Sequence, residues 1–208
     1  DIDLRPVAPF YRIRFDDGTL FDYSGDPEAM RREVARLAPG DVAGYERYLA
    51  ASKDIFKVGF EKLAHVPFGS WTDMARVAPD LVKLQSWRSV YGFVSRYLSD
   101  PYLRTVFSFH PLLIGGNPFT ATSIYTLIAF LERKWGVHFA MGGTGSLVQG
   151  LVRLIEGQGG AIRCGQEVAQ ITVEGRRATG VRLRSGEIIP ADMVISNADA
   201  AWTYRHLV

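Results

Sequence analysis

Cysteine, clustered histidine, charge of one sign and long apolar runs are all scarce in these 208 residues. The single cysteine, Cys164, excludes an internal disulfide framework and a cysteine-based metal site, and it suits a reducing compartment. Within "AIRCG" it reads as a strand residue. Four histidines, His65, His110, His138 and His206, lie too far apart for helical metal-ligand spacing, so no metal is expected. His110 sits in the apolar "FSFHPLLIGG" and reads as a core or tunnel-lining residue before a catalytic one. Basic and acidic residues number 24 and 22, a net charge of +2, which leaves no field that would draw in nucleic acid. Apolar runs such as "IYTLIAFL" fall short of the roughly 18 to 20 residues that cross a bilayer. Ser123 and Ser146 lack a nucleophile-elbow setting, which argues against hydrolase chemistry. The opening "DIDLRPVAPF" has neither an initiating methionine nor a signal-like apolar core, and reads as mid-protein.

What is present is an ordinary globular composition, 47% hydrophobic, with aromatic residues at 12%. Several aromatics lie in segments with few charges, as in "VFSFHPLLIGGNPF", which hints at an apolar ligand or a lipid surface. "FYRIRF" and "TLFDYS" alternate around "DDG" and predict a β-hairpin. Asp26 and Pro27 open a helix that Pro39 and Gly40 close. A long amphipathic helix follows, from Asp41 to about Ala64. The next is capped by Ser70 and expected to stop near Pro79, and another carries Leu81, Leu84, Trp87, Val90, Phe93 and Leu98. Further helices are expected over Thr122 to Trp135 and over "GSLVQGLVRLIEGQ", which Gly159 and Gly160 end. Beyond Gly160 the runs "AIRCG", "EVAQITVE", "ATGVRLR", "EIIPA" and "DMVISNA" are short and β-rich. The fold class is therefore mixed α/β, with a boundary near residue 140.

"MGGTGSLVQGL", Met141 to Leu151, is close to a nucleotide-binding loop but is not one. From Gly143 it reads G-x-G-x-x-V, with Val148 where the third glycine should allow close packing of helix on strand. Such a loop should follow a hydrophobic strand, whereas the residues before it are the aromatic and polar "ERKWGVHFA". It reads as a glycine turn opening a helix.

Taken in order, "PVAPFYRI", "KLQSWRSVYG", "FSFHPLLIGGNPF", "TSIYTLIAFLERKWGVHF", "GGTGSLVQGL" and "ISNADAAWTYRHL" resemble the bacterial-type phytoene desaturases, flavoproteins of the amine-oxidase-like superfamily. The resemblance runs nearly end to end. It implies residues 1–140 as a helix-rich substrate-binding domain with an amino-terminal hairpin, and 141–208 as part of an FAD-binding α/β domain. The family binds FAD through a glycine loop and a carboxyl-terminal stretch, neither of which these residues contain, so an internal fragment is expected. The implied activity is dehydrogenation of phytoene or a related polyene. Alternatives are a carotenoid isomerase or ketolase on the same scaffold, or a non-catalytic apolar-ligand or membrane-binding module.

Candidate site residues follow partly from this resemblance and partly from local pattern. "EVAQI" is similar to the family segment whose valine backbone approaches the adenine end of FAD, which points to Val168 with Glu167 beside it. A plain sheet strand is the alternative. Asn197 and Ala198 are expected where a strand ends, the place at which open α/β sheets bind ligands, although Asn197 also suits a turn. Gly142 and Gly143 would let backbone approach the flavin, or else simply open a helix. Asp73 and Arg76 share a helix face and match an Asp and an Arg of the family, which implies that Asp73 accepts a proton or stabilises a cationic polyene while Arg76 tunes it. A surface ion pair is the other reading. The expected setting is the cytoplasmic face of a membrane, touched peripherally, with "HVPFGSW" and "SFHPLLIGGNPF" at the opening.

Overall fold

Alternation of apolar and polar residues around Asp16–Gly18 produces the hairpin: strand β2 (Tyr11–Arg14) pairs antiparallel with β3 (Leu20–Tyr23), Tyr11 opposite Tyr23. Gly18, at φ 85°, makes the turn, and Phe21 and Tyr23 point into the core. Strand β1 (Leu4–Pro6) pairs instead with β4 (His138–Ala140). The protein is seen here in a computed structural model that describes residues 2–66 and 70–208. These divide into two units, Ile2–Gly143 and Thr144–Val208.

In the first unit Asp26 accepts the Ala29 N–H at 2.5 Å and starts α1 (Pro27–Leu37), which buries Met30 and Val34. Helix α2 (Val42–Phe56) buries Tyr45, Tyr48, Ile55 and Phe56, and the helical path then widens into a π-turn over Lys57–Lys62. At the widened turn Phe56 and Phe60 stack at 5.2 Å, each meeting the Trp135 ring at 5.6 Å. Ser70 caps α3 (Trp71–Lys83). The helix does not stop near Pro79 as expected but runs through it: the proline removes one donor and crowds the carbonyl four residues back, yet the turn beyond it still bonds, the Leu84 N–H reaching the Asp80 carbonyl at 2.9 Å. The expected continuous helix from Leu81 to Leu98 is likewise divided. Gln85 turns left-handed at φ 57°, and Ser89 caps a separate short α4 (Val90–Val94). Helix α5 (Pro101–Ser108) follows its Asp100 cap, then a 3-10 turn over His110–Ile114. Thr122 caps a further 3-10 turn that leads into α6 (Leu127–Trp135).

Around Phe21, Tyr23, Met30, Tyr48, Val90 and Phe107 these elements form one core. Helix α2 approaches the Tyr97 backbone so closely that a Cβ at Gly44 would run into the Tyr97 carbonyl oxygen. Buried Asp41 holds the same corner, its Oδ2 accepting the N–H groups of Ser99 and Asp100, both at 2.8 Å.

The second unit contains α7 (Thr144–Gly157), a three-stranded antiparallel sheet in the order β5 (Val168–Glu174), β6 (Arg177–Leu183), β7 (Ile188–Pro190), and α8 (Ala200–His206). The Ile171 N–H donates to the Leu207 carbonyl at 2.6 Å, tying the segment after α8 to β5. Two expected strands are absent from this sheet. Cys164 lies exposed in a turn, and "DMVISNA" is irregular, with Met193 and Ile195 exposed. Strand-like composition is not sufficient without a neighbouring strand to receive the backbone hydrogen bonds, and neither segment has one among the described residues.

Candidate functional site

Asp73 and Arg76 do share the first turns of α3. Ser70 Oγ accepts the Asp73 N–H at 3.2 Å, and its hydroxyl donates to Asp73 Oδ2 at 2.7 Å, so the carboxylate is held by the cap. Arg76 is 3.8 Å away with its side chain 79% exposed, a loose pair that adds little stability by itself. Trp71 and Met74 stand exposed beside them, so the apolar face of α3 is only partly buried, through Val77. Pro67, Phe68 and Gly69, from the "HVPFGSW" stretch expected at a membrane opening, lie outside the described residues.

The "SFHPLLIGGNPF" stretch builds a cavity of about 570 Å³, walled by Tyr91, Phe109, Leu112, Gly115, Pro118 and Phe119 among others, with no charged lining residue. Asn117 shapes one wall: its Oδ1 accepts the Phe119 N–H at 2.8 Å in a local turn, while the Pro118 carbonyl accepts the Tyr91 N–H at 3.0 Å. The Tyr91 and Phe119 rings meet at 4.8 Å. Leu112, Leu113 and Ile114 are exposed on the same turn. Asp73 and Arg76 are not among the residues lining this cavity.

Behind Phe109 is a polar cluster that patterns in the sequence did not point to. Tyr11 donates to Glu132 Oε1 at 2.6 Å, and His110 Nε2 lies 3.3 Å from Glu132 Oε2, with His110 fully buried and Glu132 5% exposed. The one signal available was a glutamate three residues after Ala129 on the buried face of α6. Next to it, Arg133 donates to the Tyr45 hydroxyl at 2.6 Å. Burial raises the phenol pKa of Tyr11, which the hydrogen bond to Glu132 raises further, and burial also raises Tyr23 and Tyr48 and pushes Tyr45 up to about 12. Above pH 10 the unfolded chain loses phenol protons that the folded chain retains, so stability falls as pH rises beyond the ordinary tyrosine value. An absorbance titration of phenolate is expected to show Tyr11, Tyr23 and Tyr48 ionising only together with unfolding, and Tyr45 ionising late. Gradual ionisation of all nine tyrosines of a folded chain would contradict the packing.

The expected cofactor residues fall in both units. Gly142 and Gly143, at φ 85° and 80°, form the turn between β4 and α7; a Cβ at Gly143 would meet nothing within 4 Å, so backbone conformation and not crowding calls for glycine there. In the second unit Val168 opens β5, an edge strand, opposite Leu183 and next to a register shift. Glu167 precedes it, pairing with Arg184 at 2.8 Å through its carboxylate and accepting the Arg184 N–H through its carbonyl. Asn197 and Ala198 do not end a strand as expected; they lie exposed in the loop before the Asp199 cap of α8, where the Ala198 N–H reaches Ser196 Oγ at 3.4 Å.

The chain aligns with longer proteins throughout. It is 48% identical over 207 residues to a lycopene-forming phytoene desaturase of Pseudescherichia vulneris, covering all of this chain and 42% of that protein. A neurosporene-forming phytoene desaturase of Cereibacter sphaeroides is 45% identical over 208 residues, again the whole chain and 40% of the relative. A 4,4'-diapolycopene oxygenase of Methylomonas sp is 30% identical over 203 residues, 95% of the chain and 40% of the relative. The chain thus spans about two fifths of the length of the curated relatives it matches. Residues 2–204 also match the flavin containing amine oxidoreductases, so that both units, the aromatic-walled helical one and the small sheet with its flanking helices, belong to that family.

Proposed function

We propose that the whole protein is an FAD-dependent carotenoid desaturase, dehydrogenating phytoene or a related polyene to a more conjugated product. The observation that carries this reading is the 48% identity to a phytoene desaturase over the whole of the chain. The cavity of about 570 Å³ supports it, since its lining carries no charge and is mostly apolar, so that an apolar chain binds there with little polar surface to desolvate. The helix-rich unit would hold the substrate and the second unit would form part of the FAD site.

Bound FAD would supply the hydride acceptor. Val168 suits its adenine end because the outer edge of a strand offers backbone N–H and C=O groups to a base. Glu167 beside it, the left-handed Gly142 and Gly143, and exposed Asn197 and Ala198 would contribute to the same site. Met141–Leu151 would not cradle the diphosphate, for want of the third glycine. Asp73 would take the proton or stabilise positive charge on the polyene, with Arg76 adjusting it.

No helix among the described residues is long and apolar enough to cross a membrane. Peripheral contact at the cytoplasmic face would bring in the lipid-dissolved substrate, with the exposed Leu112, Leu113, Ile114 and Phe119 at the surface. The FAD-loaded whole protein, incubated with phytoene in liposomes, is expected to float with them and to yield longer-wavelength polyenes. An oxygenated product would favour the ketolase alternative. Unaltered or merely isomerised phytoene, or recovery only in the soluble fraction, would count against the desaturase or the membrane reading respectively.

A further inference from the structure

One carboxylate grips two rings. Glu132 takes the Tyr11 hydroxyl on Oε1 at 2.6 Å and faces His110 Nε2 with Oε2 at 3.3 Å. His110 Nδ1 is buried without a hydrogen-bond partner, so Glu132 is the ring's one polar tether among the described residues. Both rings touch Phe109: Tyr11 meets it edge-on at 5.2 Å and His110 stacks on it at 4.5 Å. Phe109 is half-buried, and it is also part of the wall of the apolar cavity. A carboxylate outside that wall therefore holds the rings that hold a wall residue. Aromatic side chains keep a fixed orientation only where their neighbours are themselves fixed, and a buried carboxylate with two partners is a rigid anchor.

We infer that Glu132 is a positioning residue for the cavity: through Tyr11 and His110 it fixes the Phe109 ring and so sets which length and shape of apolar chain the cavity accepts. This rests on the polyene reading above. Glu132 itself touches no substrate. Its loss would alter discrimination between substrates and not merely the rate, because a freed Phe109 ring changes the volume and contour available to the chain.

The test is a double-mutant cycle in the FAD-loaded whole protein, with the ratio of kcat/KM for a forty-carbon and a thirty-carbon polyene as the readout. Glu132→Leu and Phe109→Leu are each expected to shift that ratio about fivefold or more in the same direction, and the double variant to shift it no further than either alone. Glu132→Gln, whose amide can meet both rings once His110 changes tautomer, is expected to keep the wild-type ratio. Tyr11→Phe keeps its ring and the fold but frees the ring from the carboxylate, and is expected to shift the ratio in the same direction by about twofold. An unchanged ratio in Tyr11→Phe or in Glu132→Leu, or multiplying shifts in the double variant, would overturn the assignment. Should the wild-type protein bind both polyenes without converting either, the desaturase reading fails, and the same cycle read as a ratio of dissociation constants still decides the role of Glu132. Failure to bind either polyene overturns both.

Discussion

Asp73→Asn in the whole protein is expected to lower turnover of the polyene by about 10²-fold or more, the range over which a positioned acid or base contributes to a rate. Asparagine retains an acceptor for the Ser70 hydroxyl, which reaches Asp73 at 2.7 Å, so the first turn of α3 should stay intact. What it cannot do is accept a proton or offset positive charge on the substrate. Arg76→Ala should cost less, about tenfold, because an exposed guanidinium 3.8 Å away is screened by solvent. Turnover is read in liposomes beside FAD content and thermal stability. Lost turnover with FAD and fold retained assigns the pair to the chemistry. Wild-type turnover in both variants leaves only a surface ion pair, worth about 0 to 1 kcal/mol.

Asp41→Ala is expected to destabilise the protein by about 2 to 3 kcal/mol, since removing an acceptor from two backbone donors costs more than the bonds themselves contribute. The two N–H groups belong to Ser99 and Asp100, and Asp100 in turn caps α5 by accepting the Leu103 N–H at 2.9 Å. The loss therefore reaches a helix that buries Leu103, Val106 and Phe107. Asp41→Asn keeps one oxygen acceptor and should cost about half as much. Thermal unfolding measures both, with a midpoint lowered by roughly 5 to 10 °C expected for the alanine variant. A midpoint unchanged in Asp41→Ala would mean that the corner at Ser99 and Asp100 is held by packing alone.

Local signals were legible wherever the structure relies on local chemistry. The hairpin around Gly18 and the start of α1 at Asp26 and Pro27 follow from alternation and from a cap, and both are present as read. Pro79 misled because a proline, though disfavoured, can be carried inside a helix whose other turns bond normally, while the actual break at Gln85 uses a left-handed residue that is not glycine. Cys164 and Asn197 misled for the opposite reason: β-rich composition does not reveal whether a partner strand is available. In the candidate site, Asp73 and Arg76 could be paired by their spacing. The Glu132 cluster could not, since its partners lie 121 and 22 residues away along the chain and only packing brings them together.

Transfer of hydrogen from an apolar polyene onto a bound flavin is the step proposed for the whole protein. The decisive measurement mixes the FAD-loaded protein with phytoene in liposomes under anaerobic conditions, without any other electron acceptor, and follows the visible absorbance of the flavin. The flavin band is expected to bleach as one equivalent of a more conjugated polyene appears, with both changes slowed together in Asp73→Asn. A flavin that stays oxidised while phytoene is demonstrably bound would contradict it.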